Sequence, residues 1–156
     1  MGGWLGQIWE AIRGDFSDLP DVRRVTVLVL RLVVAAALGG ALGYERERAG
    51  KAAGMRTHML VALGAAMFVL IPMQAGISDE SLSRVLQGLT AGVGFLCAGT
   101  ILKDDDRGRV RGLTTAAAVW LTAAIGVAAG MGREATAVVS TLLALVILGV
   151  IPRLFR

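Results

Sequence analysis

The chain has 156 residues, of which 55% are hydrophobic and 18% charged, whereas an ordinary soluble domain is about 45–50% apolar and about 25% charged. Its mean hydropathy of +0.67 is too high for a core of this size to be covered by a polar surface, which excludes a soluble globular domain. The single cysteine, Cys97, excludes an intrachain disulfide framework. The net charge of +4 is divided among several clusters along the chain, which does not favour a nucleic-acid-binding face.

The first predicted element is a short amphipathic helix ahead of Pro20. Apolar side chains recur there at helical spacing, at Leu5, Ile8, Trp9, Ile12 and Phe16. A helix of this kind lies on a membrane surface, with Trp4 and Trp9 as interfacial anchors. A leader without fixed structure is the alternative. We assign residues 1–24 to this N-terminal amphipathic segment and its linker.

Five apolar stretches follow, each bounded by charged residues. They are residues 25–43, 59–77, 85–102, 113–131 and 135–151. Each is long enough for a helix to cross a hydrocarbon core about 30 Å thick. Apolar and polar residues do not alternate with period two along these stretches, which argues against the strands of a β-barrel. The predicted fold is therefore all-α: a polytopic membrane protein with a bundle of five transmembrane helices in residues 25–152 and a short C-terminal tail at residues 153–156.

An odd number of spans leaves the two ends of the chain on opposite sides of the membrane. Five basic residues fall on the N-terminal side and ten on the other, in the loops at 44–58 and 103–112 and at the C-terminus. Cytoplasmic loops carry the excess of Lys and Arg. We therefore expect a cytoplasmic C-terminus and an N-terminus outside.

Glycines are expected to hold the helices together, because lipid tails are as apolar as leucine and close backbone contact must replace hydrophobic burial. Three pairs have the small-xxx-small spacing: Gly39 with Gly43, Gly88 with Gly92, and Gly126 with Gly130. The third span also carries Gly94 and Gly99, so we predict that it is the centre of the bundle. A functional bend at these glycines is the alternative to packing.

Polar chemistry concentrates in two loops, which read GYERERAGKAAGMRTHML and LKDDDRGRVRGLTTAA. The charged and polar residues around the helix ends form one candidate cluster: Glu45, Arg46, Glu47, Arg56, Thr57, His58, Arg111, Thr114 and Thr115. Free N–H groups at the starts of spans two and four attract anions. The anion is either the chain's own Glu45 or Glu47, in a capping and salt-bridge network, or a lipid phosphate, a soluble anion or a partner's acidic side chain.

Three runs together resemble a known family. RLVVAAALGGALGYERERAGKAAGMRTHMLVALGAAMF, GLTAGVGFLCAGTILK and VRGLTTAAAVWLTAAIGVAAG are similar, in this order, to the bacterial MgtC/SapB membrane proteins over about residues 28–150. The resemblance implies a multi-pass protein of the bacterial inner membrane that is linked to growth in low magnesium and, in pathogens, to survival inside macrophages. It also implies a regulator of other membrane machinery, including the F-type ATP synthase, rather than a pump.

The same resemblance marks motif positions in this chain. They are Arg31, Glu45, Arg46, Glu47, Arg56, Thr57, His58, Gly94, Gly99, Arg111, Gly112, Thr114 and Thr115. The sequence departs from the family at Cys97, where many members have glycine. The chain stops at Arg156, soon after the fifth span, so we expect it to lack the soluble C-terminal domain of the founding type.

Ion transport has little support within the spans. None of them contains Asp, Glu or Lys, and their only ionised group, Arg31, would repel Mg²⁺. We expect Arg31 to snorkel outward or to pair with Asp79, Glu80 or Glu134, with a role in conduction or sensing as the alternative. The acidic run at residues 104–106 could hold a hydrated Mg²⁺, but four basic neighbours neutralise it, so a solvated loop is expected.

No enzymatic activity is expected. His58 is the only histidine, Cys97 has no base nearby in sequence, and there is no Walker-type loop. We therefore predict no catalytic, cofactor or metal site. Two functions remain open: a regulator that acts on other membrane proteins, or a small channel or carrier for an ion or anionic solute. The expected partners are membrane lipid and another membrane protein or a second copy of the chain, and no nucleic acid.

Overall fold

The computed structural model describes residues 3–15, 21–103 and 110–154, and nearly all of them are helical. The helices are α1 (Trp4–Asp15), α2 (Val22–Arg48), α3 (Met55–Gln74), α4 (Asp79–Ala98), α5 (Leu113–Gly130), α6 (Glu134–Leu145) and α7 (Ile151–Leu154). A π-helical segment, Val146–Val150, joins α6 to α7 without a break. Two short strands, β1 (Leu102–Lys103) and β2 (Val110–Arg111), pair antiparallel between α4 and α5. The chain divides into two compact units, Met1–Leu30 and Arg31–Arg156.

The N-terminal helix agrees with its prediction. α1 begins at Trp4 and ends at Asp15, and its apolar residues Leu5, Ile8, Trp9 and Ile12 are all exposed. Phe16 and Pro20, which belonged to the same prediction, lie outside the described residues.

Every predicted span coincides with a helix, and three of the helices are long and apolar enough to cross a membrane. These three are α2, α3 and α5. At 1.5 Å per residue, the 20 residues of α3 extend about 30 Å, the thickness of a hydrocarbon core. α4 is less apolar because it begins with two acidic residues and carries Arg84 and Gln87, and the apolar helix Glu134–Val150 is shorter. Five crossings therefore stay a prediction, whereas a helical bundle with three long apolar helices is observed.

The centre of the bundle is α5, and the prediction that the third span is central is wrong. Ten of the 18 residues of α5 are buried, whereas α4 buries only Leu82 and Cys97. The main core joins α5 to three other helices through small side chains, among them Ala35, Ala62, Ala129 and Ala137. Small residues let the helix backbones approach closely, which is the principal source of packing energy between helices in lipid.

Two of the three predicted glycine pairs pack, and both pack against α3. A Cβ added at Gly39 would lie 2.6 Å from the carbonyl oxygen of His58, and one added at Gly130 would lie 2.7 Å from that of Ala66. Their pair-mates Gly43 and Gly126 are equally tight, against the backbones of Met55 and Ala62. α3 thus presents its carbonyls and alanines to the glycine faces of both α2 and α5.

The third pair does not pack within the chain. A Cβ added at Gly88, Gly92 or Gly94 would meet no atom of the described chain within 4 Å. The predicted helix-packing role of these three glycines is therefore wrong for contacts inside this chain, because each of these positions of α4 is exposed. Gly99 instead follows the last residue of α4, and a Cβ there would lie 3.3 Å from the Leu96 carbonyl oxygen.

Gly112 sets the start of α5. Its φ of +91° lies in the left-handed region that disfavours other residues, and a Cβ there would collide with the carbonyl oxygen of Thr100. The chain leaves the strand pair through this residue and enters α5 at Leu113. The end of α4 and the start of α5 are thereby held side by side.

Candidate functional site

The candidate cluster lies where α2 ends and where α3 and α5 begin. Thr114 and Thr115 stand in the first turn of α5, and Arg56, Thr57 and His58 in the first turn of α3. The π-helical segment closes one side of this end of the bundle, through Ile147 to Gly149. A π-helical turn inside an α-helix is rare and often marks a functional position.

Arg46 and Glu45 form a buried ion pair at the end of α2. The Arg46 Nε donates to Glu45 Oε2 at 2.7 Å, and Nη2 donates to Oε1 at 3.3 Å. The Arg46 side chain is 4% exposed and that of Glu45 is 22% exposed. A guanidinium this deeply buried requires a partner, because an uncompensated charge in a dry environment is costly. Glu45 thus forms an ion pair within the chain, which was one of the alternatives predicted for this carboxylate.

Glu47 caps the following helix. Its Oε2 accepts a hydrogen bond from the backbone N–H of Met55, the first residue of α3, at 2.9 Å. The carboxylate satisfies one of the free N–H groups of the helix and lies at the positive end of its dipole. Gly54 allows the approach, since a Cβ there would lie 2.7 Å from the same Glu47 oxygen. The anion predicted at the start of α3 is therefore the chain's own Glu47.

His58 is fully buried at the contact between α2 and α3. Its Nδ1 donates to the carbonyl oxygen of Gly54 at 2.9 Å, so Nε2 carries the lone pair of the neutral ring. Nε2 is buried and has no hydrogen-bond partner among the described residues. Both Gly39 and Gly43 touch this residue, through its carbonyl and its Cβ. His58 is thus an interior residue of the contact between α2 and α3.

Several cavities open at this end of the bundle among the described residues, and two of them are lined by threonines of α5. The first, of about 380 Å³, is lined by Glu45, Arg46, Ala49, Lys51, Thr114, Ile147, Leu148, Gly149 and Pro152. The second, of about 520 Å³, is lined by Gly50, Lys51, Ala52, Thr100, Arg111, Gly112 and Thr115. Neighbouring threonines of α5 thus line different cavities, and Lys51 lines both. We call the first the Arg46 cavity and the second the Arg111 cavity.

Several predicted site residues do not join these cavities. Arg56 and Thr57 are exposed on the first turn of α3 and line neither cavity. Arg31 lies about 22 Å along α2 from Arg46, and it contacts Glu134 and the end of α5 instead. Of the three partners proposed for Arg31, the structure selects Glu134, with Nε 3.8 Å from Oε1.

Sequence reasoning missed three parts of the site. Lys51 was counted only as a basic residue of the loop, Thr100 was not singled out, and the π-helical segment Val146–Val150 has no recognisable pattern. Lys51 could have been predicted as a site residue, because it is a basic residue in a loop of small residues. No described group of three or more His, Cys, Asp or Glu side chains could hold a metal ion. The acidic run at residues 104–106 lies outside the described residues.

Comparison with known proteins places this architecture in a family. The MgtC family model matches residues 32–156. Protein SrpB of Synechococcus elongatus is 46% identical over 140 residues, which cover 83% of this chain and 77% of SrpB. "Putative magnesium transporter YhiD" of Escherichia coli K12 is 38% identical over 133 residues, 81% of this chain and 61% of YhiD. Protein MgtC of Salmonella typhimurium is 41% identical over 117 residues, 75% of this chain and 49% of MgtC.

The chain therefore spans about half of the MgtC protein and about three fifths of YhiD. The residues matched by the family model include all the described residues that line the two cavities, because the first of these in the sequence is Glu45. No solved structure matches the chain.

Proposed function

Because the chain belongs to the MgtC family of membrane proteins, we propose that it is a regulatory protein of the bacterial inner membrane that supports adaptation to low magnesium by acting on other membrane proteins. It carries out no catalysis of its own in this proposal. Its N-terminus lies outside and the end of the bundle with the two cavities faces the cytoplasm, in accordance with the excess of basic residues in the loops at that end.

The observation that carries this proposal is the composition of the bundle interior. The buried polar side chains of the described residues are Arg46, His58, Thr115, Thr122 and Thr141. The Thr122 and Thr141 hydroxyls each donate to a carbonyl oxygen four residues earlier in their own helix, at 2.8 Å. Conduction of a cation needs carboxylates or free carbonyls at membrane depth to replace the hydration shell. The described interior consists mainly of alanine and glycine, its buried Arg46 is paired with Glu45, and two of its three buried threonines bond within their own helices. Such an interior favours a packed scaffold rather than a pore.

The outer face of α4 is the surface proposed to meet another membrane protein. Gly88 and Gly92 present backbone that no described residue covers, beside Phe95, which is 85% exposed. Gly94 is also uncovered, but it lies on another side of α4. In lipid, exposed small residues allow a second helix to approach closely and to gain dispersion energy. The exposed Arg56 and Thr57 add a charged and polar rim at the cytoplasmic end.

The experiment pairs crosslinking with reconstitution. The tagged full chain is crosslinked in native membranes and purified. Gly92→Leu is the test variant, and Ala37→Leu, which places the same side chain at an exposed position of α2, is the control. We expect one membrane protein to copurify with the wild type and with Ala37→Leu, and to be lost in Gly92→Leu. In parallel, liposomes that contain the purified chain should pass no Mg²⁺ above the protein-free rate.

A small channel or carrier is the second candidate function. The observations in its favour are the cavities at the end of the bundle and the relative YhiD, whose name refers to magnesium transport. Mg²⁺ or anion flux through the reconstituted protein that falls in Thr114→Val, while no partner copurifies, would establish the carrier and refute the regulator.

A further inference from the structure

The Arg46 cavity combines a buried cation with unused hydrogen-bonding capacity. Arg46 is 3% exposed, and its Nε and Nη2 both bond to Glu45. Its third nitrogen, Nη1, has no partner among the described residues, although the side chain lines the cavity. Nη1 is not among the buried nitrogen atoms that lack a partner, so it reaches the open space of the cavity, where it can donate to an acceptor.

The other polar groups of the same wall are also donors. Lys51 carries an ammonium group with three N–H donors, and Thr114 carries a hydroxyl in the first turn of α5. The N-terminus of α5 adds the positive end of its dipole on that side, and its N-cap, Gly112, has no side chain to bond the free N–H groups. Among the described residues of the lining, Glu45 is the single carboxylate, and Arg46 engages both of its oxygens.

We propose that the Arg46 cavity is an oxyanion site that binds a phosphate group, with Arg46, Lys51 and Thr114 as its donors. Two cations against one engaged carboxylate give the described part of the lining a net positive charge, which favours an anion over Mg²⁺. Donors from three different elements converge on one space, which suits the several acceptor oxygens of a phosphate. A volume of about 380 Å³ has room for a phosphate and several waters, since a water takes about 30 Å³ in the liquid.

The apolar part of the wall comes from the π-helical segment. Ile147, Leu148 and Gly149 line the cavity together with the charged residues of α2 and the loop. The wider turn of a π-helix displaces these residues from the regular helical path. The phosphate is either part of a lipid headgroup or free in solution, because the same donors recognise both forms, and the experiment has one arm for each.

Binding is tested on the purified full chain, without any partner, so the result is independent of the proposed regulatory role. In an uncharged detergent, inorganic phosphate is titrated and followed by calorimetry. In a second arm, native mass spectrometry measures retention of phosphatidylglycerol against phosphatidylcholine from nanodiscs that contain both lipids. Circular dichroism and size exclusion verify that each variant is folded.

Three variants separate the site from general surface charge. Lys51→Gln removes one cation of the cavity, and Thr114→Val removes the hydroxyl with little change in shape. Arg48→Gln makes the same charge change as Lys51→Gln at an exposed residue that does not line this cavity. We expect Lys51→Gln to weaken binding about tenfold, as for one charge-assisted hydrogen bond, Thr114→Val to weaken it several-fold, and Arg48→Gln to change it less than about twofold.

Saturable binding of inorganic phosphate assigns the site to a soluble phosphate, and selective retention of phosphatidylglycerol assigns it to a lipid headgroup. Either result supports the proposal if the Lys51 and Thr114 variants lose it. Absence of binding in both arms would overturn the proposal. So would an equal loss in Lys51→Gln and Arg48→Gln, because that pattern is expected for unspecific attraction to a basic surface.

Discussion

Arg31 donates a hydrogen bond from Nη1 to the carbonyl oxygen of Gly130, 99 positions later in the chain, at 3.2 Å. Gly130 is the last residue of α5, and its carbonyl belongs to the group of acceptors that a helix C-terminus leaves unsatisfied. A cation at this end also meets the negative end of the helix dipole. Gly132, with φ of +73°, leaves room for the guanidinium, since a Cβ there would collide with it. Arg31 is thus a C-terminal cap for the central helix.

We expect Arg31→Gln to lower the free energy of unfolding by about 1.5–3 kcal/mol, the range for a hydrogen bond that involves a charged group. The ion pair with Glu134 and the bond to Gly130 are weakened or lost together. Thermal unfolding in detergent, followed by circular dichroism, measures the change. The control is Arg24→Gln, which breaks the exposed pair with Asp21 and should cost less than about 1 kcal/mol. Equal effects of the two substitutions would contradict the capping role.

Glycine substitutions should separate the packed helix faces from the open one. Gly126→Val places a side chain into the backbone of Ala62, and we expect a loss of at least about 1–3 kcal/mol or failure to fold. Gly92→Val enters open space on α4 and should leave the melting temperature of the purified chain nearly unchanged. The measurement is the melting temperature of each variant and of the wild type in the same detergent. Destabilisation by Gly92→Val alone would contradict the arrangement of α4.

Removal of the Glu47 cap should destabilise α3. Glu47→Ala leaves the N–H of Met55 without its carboxylate, and we expect a loss of about 1 kcal/mol, within the range of about 0.5–2 kcal/mol for N-cap residues. Hydrogen exchange measured by mass spectrometry should show faster exchange in the first turn of α3. Glu10→Ala, at an exposed position of α1, serves as the control and should leave that turn unchanged. Unaltered exchange in Glu47→Ala would argue against capping.

The orientation of the bundle can be measured by cysteine labelling. Cys97 is buried and its Sγ donates to the Ala116 carbonyl at 3.2 Å, so Cys97→Ser keeps a donor and gives a background without a thiol. In this background we expect Ala52→Cys to react with a membrane-impermeant maleimide only when the cytoplasmic face is accessible, and Gly3→Cys only from outside. The opposite pattern would reverse the proposed topology and place the rim of Arg56 and Thr57 on the outer side of the membrane.

Local patterns in the sequence predicted the elements and some of their contacts. Each apolar stretch between charged clusters coincides with a helix, because length and hydropathy act on a segment independently of its neighbours. Glu134 was one of the three partners predicted for Arg31, because all three were placed at the same end of the bundle, and the structure selects it. Glu47 was one of the alternatives for the anion at the helix starts, and the structure shows it at the start of α3.

The position of each helix within the bundle was decided only by the tertiary structure. The three glycine pairs have the same spacing, yet Gly39 with Gly43 and Gly126 with Gly130 pack against α3, while Gly88 with Gly92 faces outward. Hydropathy cannot distinguish them, because lipid and the bundle interior are equally apolar and both accept small residues. The Arg46 cavity likewise depends on bringing the end of α2, the start of α5 and a π-helical segment together. Segment length and charge determine the helices of this protein, and mutual backbone contact determines their arrangement.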